Sequence, residues 1–269
     1  MERREEWARE SERRWSATYE LVKKFVSQAI QLITEAKISP DDYLNLIRVL
    51  LLARVVSCTE AIALLAKNGF LLEAEMLTRS SLEGMIKLSA LAKNGSMLLA
   101  YLGEEFPIRR RAMSDIKNML RDVENPTPTM DEIDQALASI DRQEAQFKEK
   151  NGVDKCKEVK VWDWAVVGGQ TEIFWALYLR LSSAVHYSSK SLERRMVFSK
   201  DKDRVESIVL YPDTASPEEI IRDSLVILAK ALAAFAEALS LKITEEMQES
   251  WGHVNAMFDN ANTEGNQCS

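Results

Sequence analysis

The sequence predicts an all-α fold, a multi-helix bundle of about seven to eight helices. Three observations carry this. Glycine and proline are scarce, 9 and 6 in 269 residues, so few positions break a helix. Hydrophobic residues make up 46%, ample for a core in a chain of this length. Helix punctuation also recurs along the chain. Ser39-Pro40-Asp41-Asp42 and Ser216-Pro217-Glu218-Glu219 read as starts, and Asn68-Gly69, Asn94-Gly95 and Asn151-Gly152 as stops. One small β-hairpin is expected near residues 195–211.

Residues 1–14 are dense in charge and read as an N-terminal extension that leads into a first packed helix, Trp15 to Ala36. In that helix Leu21, Phe25, Ile30, Leu32 and Ile33 supply the apolar side. The second helix starts at the Ser39-Pro40 signal and ends at Lys67. Its centre, Ile47 to Val56, is apolar apart from Arg48 and Arg54, so the helix reads as central. The third runs from Phe70 to Lys93 and ends, like the second, in Ala-Lys-Asn-Gly. The fourth spans 96–123 with a break expected near Pro107. Asn125-Pro126-Thr127-Pro128-Thr129 is the best linker signal, and 124–129 is the expected linker inside one helical domain, 15–250. A charged helix at 130–150 reads as a solvated arm. Gly168-Gly169 makes a turn, and Thr171 opens the next helix. Met196-Val197-Phe198 and Ile208-Val209-Leu210-Tyr211 are the expected hairpin strands. The last long helix runs from Ser216 to Ser250, and 251–269 is a polar, flexible tail.

Net charge is −7, a poor match to broad nucleic-acid binding, so any RNA contact is expected to be local. Cys58, Cys156 and Cys268 are far apart and form no CxxC pair, which points to reduced thiols in a cytoplasm. The longest apolar stretches, 49–56 and 224–241, are interrupted by charge, so no membrane association is expected. Only two histidines occur, His186 and His253, with no HExxH or Glu-x-x-His pattern and no glycine-rich phosphate loop. Neither a metal nor a cofactor is therefore expected.

Candidate chemistry lies in 171–189, where Arg180 is the only formal charge between Glu172 and Lys190. Ile173, Phe174, Trp175, Leu177, Leu179, Leu181 and Val185 surround the helical wheel, a pattern that reads as a buried helix. Arg180, Ser182, Ser183, His186 and Tyr187 would then enter the interior or line a cleft and need polar partners. Arg79 and Glu83 on the third helix are four apart and share a face. Together these residues read either as a reactive cluster or as a hydrogen-bond network that fixes helix register. Arginine can stabilise a pentavalent phosphate, and histidine can move a proton near neutral pH. Six residues separate Arg180 from His186, roughly 120° around the helix and about 9 Å along it. The pair therefore needs a bend, the arginine's length or a second subunit. Arg109-Arg110-Arg111, Arg194-Arg195 and Lys200/Lys202/Arg204 are basic spots diluted by nearby acids.

Arg-x4-6-His on a late helix of an all-α domain resembles the HEPN superfamily. The resemblance implies a bacterial defence or toxin protein, a metal-independent endoribonuclease, and a dimer in which two motifs meet at one cleft. It assigns Arg180 to phosphate charge and His186 to general acid–base work, with Ser182 or Tyr187 orienting His186 and Arg79 with Glu83 in support. The polar residue that often follows the HEPN arginine is here Leu181. A narrower resemblance is to a bacterial helical family of unknown function (the domain of unknown function 5677 type). It is carried by Arg79-Ser80-Ser81-Leu82-Glu83 and Ser182-Ser183-Ala184-Val185-His186, over roughly residues 15–245. The alternative function is a non-catalytic helical module that binds a partner protein or senses a ligand.

Overall fold

A computed structural model describes residues 2–185, 193, 196–199, 201, 204–208, 216–252 and 254. His186, Tyr187, Arg194, Arg195, Lys200, Lys202, the segment 209–215 and most of the expected tail lie outside the described residues. The fold is all-α with one two-stranded antiparallel hairpin. In order the elements are α1 (Glu2–Arg14), α2 (Ser16–Glu35), α3 (Tyr43–Lys67), α4 (Leu71–Lys93), α5 (Met97–Gly103), α6 (Glu105–Leu120), α7 (Met130–Asn151) and α8 (Val161–Gly168). Then come α9 (Thr171–Ile173), a π-helical turn (Phe174–Tyr178), α10 (Leu179–Val185), β1 (Met196–Phe198), β2 (Val205–Ile208) and α11 (Glu218–Leu239). Residues 245–252 are again helical, and Trp251 and Val254 are buried.

The chain forms two compact units, Met1–Lys93 with Ala165–Ser269, and Asn94–Trp164. The core of the first is made by α3, α4 and α11, which pack on one another. Leu52, Val55 and Ile62 of α3 meet this core with Leu82 and Ile86 of α4 and Ile227 and Phe235 of α11, all shielded from solvent. Each such side chain contributes about 1.5–3 kcal/mol on burial. By length and composition α3 is also the one described helix apolar enough to cross a membrane. It packs against α2, α4 and α11, and 39% of its apolar stretch is buried. Buried Arg48 on α3 donates to the Leu91 carbonyl at the end of α4 (2.5 Å) and to Asn45 (2.6 Å). An arginine thus caps the negative end of a neighbouring helix.

Several boundaries follow from local chemistry. Asp42 rather than Ser39 caps α3, its carboxylate accepting from the Asn45 amide at 3.1 Å. Thr129 and Glu132 form a reciprocal capping box at α7. The break expected near Pro107 falls at Glu104, because proline is tolerated in the first turn of α6. The hairpin pairs Met196 with Ile208, so its second strand begins earlier than expected, at Val205.

The stretch 171–185 is not buried on all sides. Ile173, Phe174, Leu177, Leu181 and Ala184 face inward, whereas Trp175 and Leu179 are 59% and 62% exposed. Only one side of it packs on α4. Glu2–Arg14 of the expected extension form helix α1, and its Trp7 ring lies 5.9 Å from that of Trp15. In the second unit α6 pairs with α7, and 124–129 is the connection between those two helices.

Candidate functional site

The π-helical turn and α10 carry the candidate residues. A π turn inserts one residue into a helix, and such turns recur at functional sites. Here Phe174 stacks on Tyr178, with centroids 4.5 Å apart and planes at 20°. Arg79 of α4 lies over the other partner in this stack, its guanidinium carbon 4.5 Å from the Tyr178 centroid. Its Nη2 also donates to the Tyr178 hydroxyl at 2.7 Å and pairs with Glu83 at 3.1 Å. The i, i+4 relation of Arg79 and Glu83 is therefore used, with Tyr178 as the third member. The position of Tyr178, four residues after an aromatic on the same helix, was the available signal for it.

Two residues further on, Arg180 turns to α11. Its Nη2 donates to Asp223 and its Nη1 pairs with Glu219 at 2.9 Å. Glu219 and Asp223 are four apart, so one face of α11 presents both carboxylates. Their environments differ sharply: the Asp223 side chain is 1% exposed and that of Glu219 61%. Arg222 Nη2 also approaches Asp223, at 3.7 Å. Burial pushes the Asp223 carboxyl above its ordinary range, and the two arginines offset only part of that. The Arg180 side chain itself remains 38% exposed.

The sequence reading missed Asp223 and Glu219. Asp223 is the one acid on the inward stripe of α11, between Ile220 and Ile227, and a lone acid there needs a cation. Ser182 donates to the Tyr178 carbonyl, and Ser183 to that of Arg180 at 2.8 Å. Both hydroxyls thus bond their own helix backbone. His186 and Tyr187 lie outside the described residues.

The basic run of α6 is matched by acids of the same unit. Arg109 pairs with Glu105, Arg110 with Asp141 and Glu144, and Arg111 with Glu158. Cys58 and Cys156 are buried free thiols, and burial pushes both up, so neither is poised as a thiolate. Among the described residues no group of three or more His, Cys, Asp or Glu is placed to hold a metal ion. A cavity of about 440 Å³ runs along α2 and α3 over Tyr19, Val22, Val26, Ile30, Ala63 and Leu64. None of the described candidate site residues lines it.

Residues 45–204 match the model of a family described as a family of unknown function (DUF5677). The match covers Arg79, Glu83 and Arg180 and ends before Glu219 and Asp223. No curated protein and no solved structure matches the chain.

Proposed function

The chain belongs to this family of unknown function, and on that premise we propose a HEPN-like protein of bacterial defence or toxin type that cleaves RNA without a metal. One observation carries the reading: Arg180 sits beside a π-helical turn, tethered by a buried carboxylate yet partly open to solvent. A guanidinium has five N–H donors in a fixed fork, and a tether presents that fork in one orientation. A phosphodiester is the ligand such a fork suits.

In this reading a ribose 2′-hydroxyl attacks the adjacent phosphorus. His186 moves the proton, either taking it from the 2′-oxygen or giving one to the departing 5′-oxygen. The O2′–P bond forms, the P–O5′ bond breaks, and a cyclic phosphate and a 5′-hydroxyl result. Arg180 holds the charge that builds on the non-bridging oxygens. Arg79, Glu83 and Tyr178 brace the helix that carries Arg180. Two copies meeting at this helix would bring two motifs to one cleft.

The test is cleavage of single-stranded RNA in EDTA by the wild type and by His186→Ala. The variant is expected to lose activity by about 10²-fold or more, the usual contribution of a general acid or base. Equal cleavage by a variant that melts like the wild type would sink the proposal.

The second reading is a non-catalytic module that docks a partner. It is favoured by the exposure of Trp175 and Leu179 on the same helix. Large apolar groups left in water at adjoining helix positions mark contact surfaces. Trp175→Ala would then abolish partner or self-association and leave any RNA cleavage by a monomer intact.

A further inference from the structure

Arg180 has two carboxylate partners of opposite character, and the difference assigns them different tasks. Asp223 lies within the apolar face of α11, beside buried Ile220, Leu225 and Ile227. If Arg180 left it, a buried charge would lose its main partner, so this contact resists exchange. Glu219, one helical turn away, stands in solvent. Its contact with Arg180 is an exposed ion pair, and these are weak and readily exchanged. The four groups Arg180, Arg222, Glu219 and Asp223 sum to zero charge. An arriving anion therefore gains little from the cluster until one carboxylate withdraws, and only Glu219 can do so cheaply.

We infer that Glu219 is a displaceable counter-ion of Arg180 and Asp223 its fixed anchor, and that a phosphodiester binds by replacing the Glu219 carboxylate. The inference rests on the reading of Arg180 as a phosphate-binding group and adds how access to it is controlled. Asp223 is a positioning residue: it touches the arginine and not the ligand. Glu219 acts as a built-in competitor that holds Arg180 in place and lowers its affinity for anions. Selectivity follows, since a ligand offering several phosphates can outcompete a lone carboxylate where a simple anion cannot.

The test uses the full chain and a fluorescent single-stranded oligodeoxynucleotide, which keeps the phosphodiester and lacks the 2′-hydroxyl. Anisotropy would be read for the wild type, Glu219→Gln, Asp223→Asn, Arg180→Gln, and Arg180→Gln combined with Glu219→Gln. Glu219→Gln is expected to bind about two- to fivefold more tightly, the factor carried by one exposed ion pair. Asp223→Asn is expected to bind more weakly. The Glu219→Gln gain is expected to vanish in the Arg180→Gln background, which separates competition for the arginine from a general loss of negative charge. Glu219 is exposed, so its variant is expected to fold, and it carries the test even if Asp223→Asn does not. No gain in Glu219→Gln, or a gain that persists without Arg180, overturns the inference. If RNA is never cleaved but the Arg180-dependent gain appears, the counter-ion exchange stands and the ribonuclease reading falls.

Discussion

At the scale of single residues, the weight of the candidate site falls on one buried carboxylate. Asp223 is held in an apolar helix face by Arg180. Replacing Arg180 by alanine removes the main counter-charge and leaves the acid buried. A loss of about 3 kcal/mol at neutral pH is expected, the low end for an orphaned buried charge, because Arg222 stays nearby. The sign of the pH dependence follows from the raised carboxyl. A group whose folded pKa lies above its unfolded value contributes stability that is fully present below the unfolded value. That stability is lost as pH rises through the folded value. Removing Arg180 raises the carboxyl further and extends this window upward. The stability deficit of Arg180→Ala should therefore be small near pH 4 and grow toward pH 8. Urea unfolding at several pH values reads this directly, and a deficit that stays flat from pH 4 to pH 8 would show that Arg180 does not govern the ionisation of Asp223. Arg79, Glu83 and Arg180 were legible in the sequence as charges in apolar helices. Their partners were less so, because Tyr178 passes for an ordinary core aromatic and Asp223 comes 43 residues after Arg180. Only the helical phase of Asp223 within α11 gives it away.

At the scale of elements, most helices were readable from punctuation, and the misreading of 171–185 is instructive. Apolar residues all round a wheel imply burial only if neighbours exist on every side. Here α4 covers one side, and Trp175 and Leu179 remain in water. The π-helical turn also adds a residue to the helix, which no 3.6-residue wheel represents. The turn just before this stretch is more tightly specified than the sequence suggests. A Cβ on Gly168 would lie 2.9 Å from the Ala90 amide nitrogen and 3.2 Å from the Ile86 carbonyl oxygen. Those atoms belong to the α4 backbone, which cannot yield as a flexible side chain does. Gly168→Ala should force the end of α8 away from α4 and cost about 1–3 kcal/mol, the range for overpacking. Gly152 has open space around its Cβ position, so there alanine meets only the strain of its left-handed φ of 63°. That change should cost roughly 1 kcal/mol. Thermal unfolding of the two variants tests the ranking, and an equal or reversed order would mean that α8 is free to shift.

At the scale of the whole molecule, two units with different cores share one chain. Asn125–Thr129, the best linker signal in the sequence, lies in the connection between α6 and α7. Proline-rich composition marks where a chain turns; it does not report which elements share a core. The first unit rests on α3, α4 and α11, whose inward faces are mainly apolar. In the second unit, α6 has no buried residue and α7 buries only Ile133 and Ile140. Its helices are joined by the Phe106–Phe147 ring contact and by charge, through Arg110 with Asp141 and Glu144, and Lys117 with Asp134. Exposed pairs are weak and are screened as the Debye length falls from about 10 Å at 0.1 M salt to about 3 Å at 1 M. Local opening should therefore be easier in α6 and α7 than in α3, α4 and α11. Hydrogen exchange is expected to run more than about tenfold faster in α6 and α7, which corresponds to about 1.4 kcal/mol of opening free energy. Raising salt to 1 M should widen that gap, since apolar burial does not weaken with screening. Uniform protection across both units, or a salt response shared by α3 and α4, would mean that ion pairs do not set the stability of the second unit.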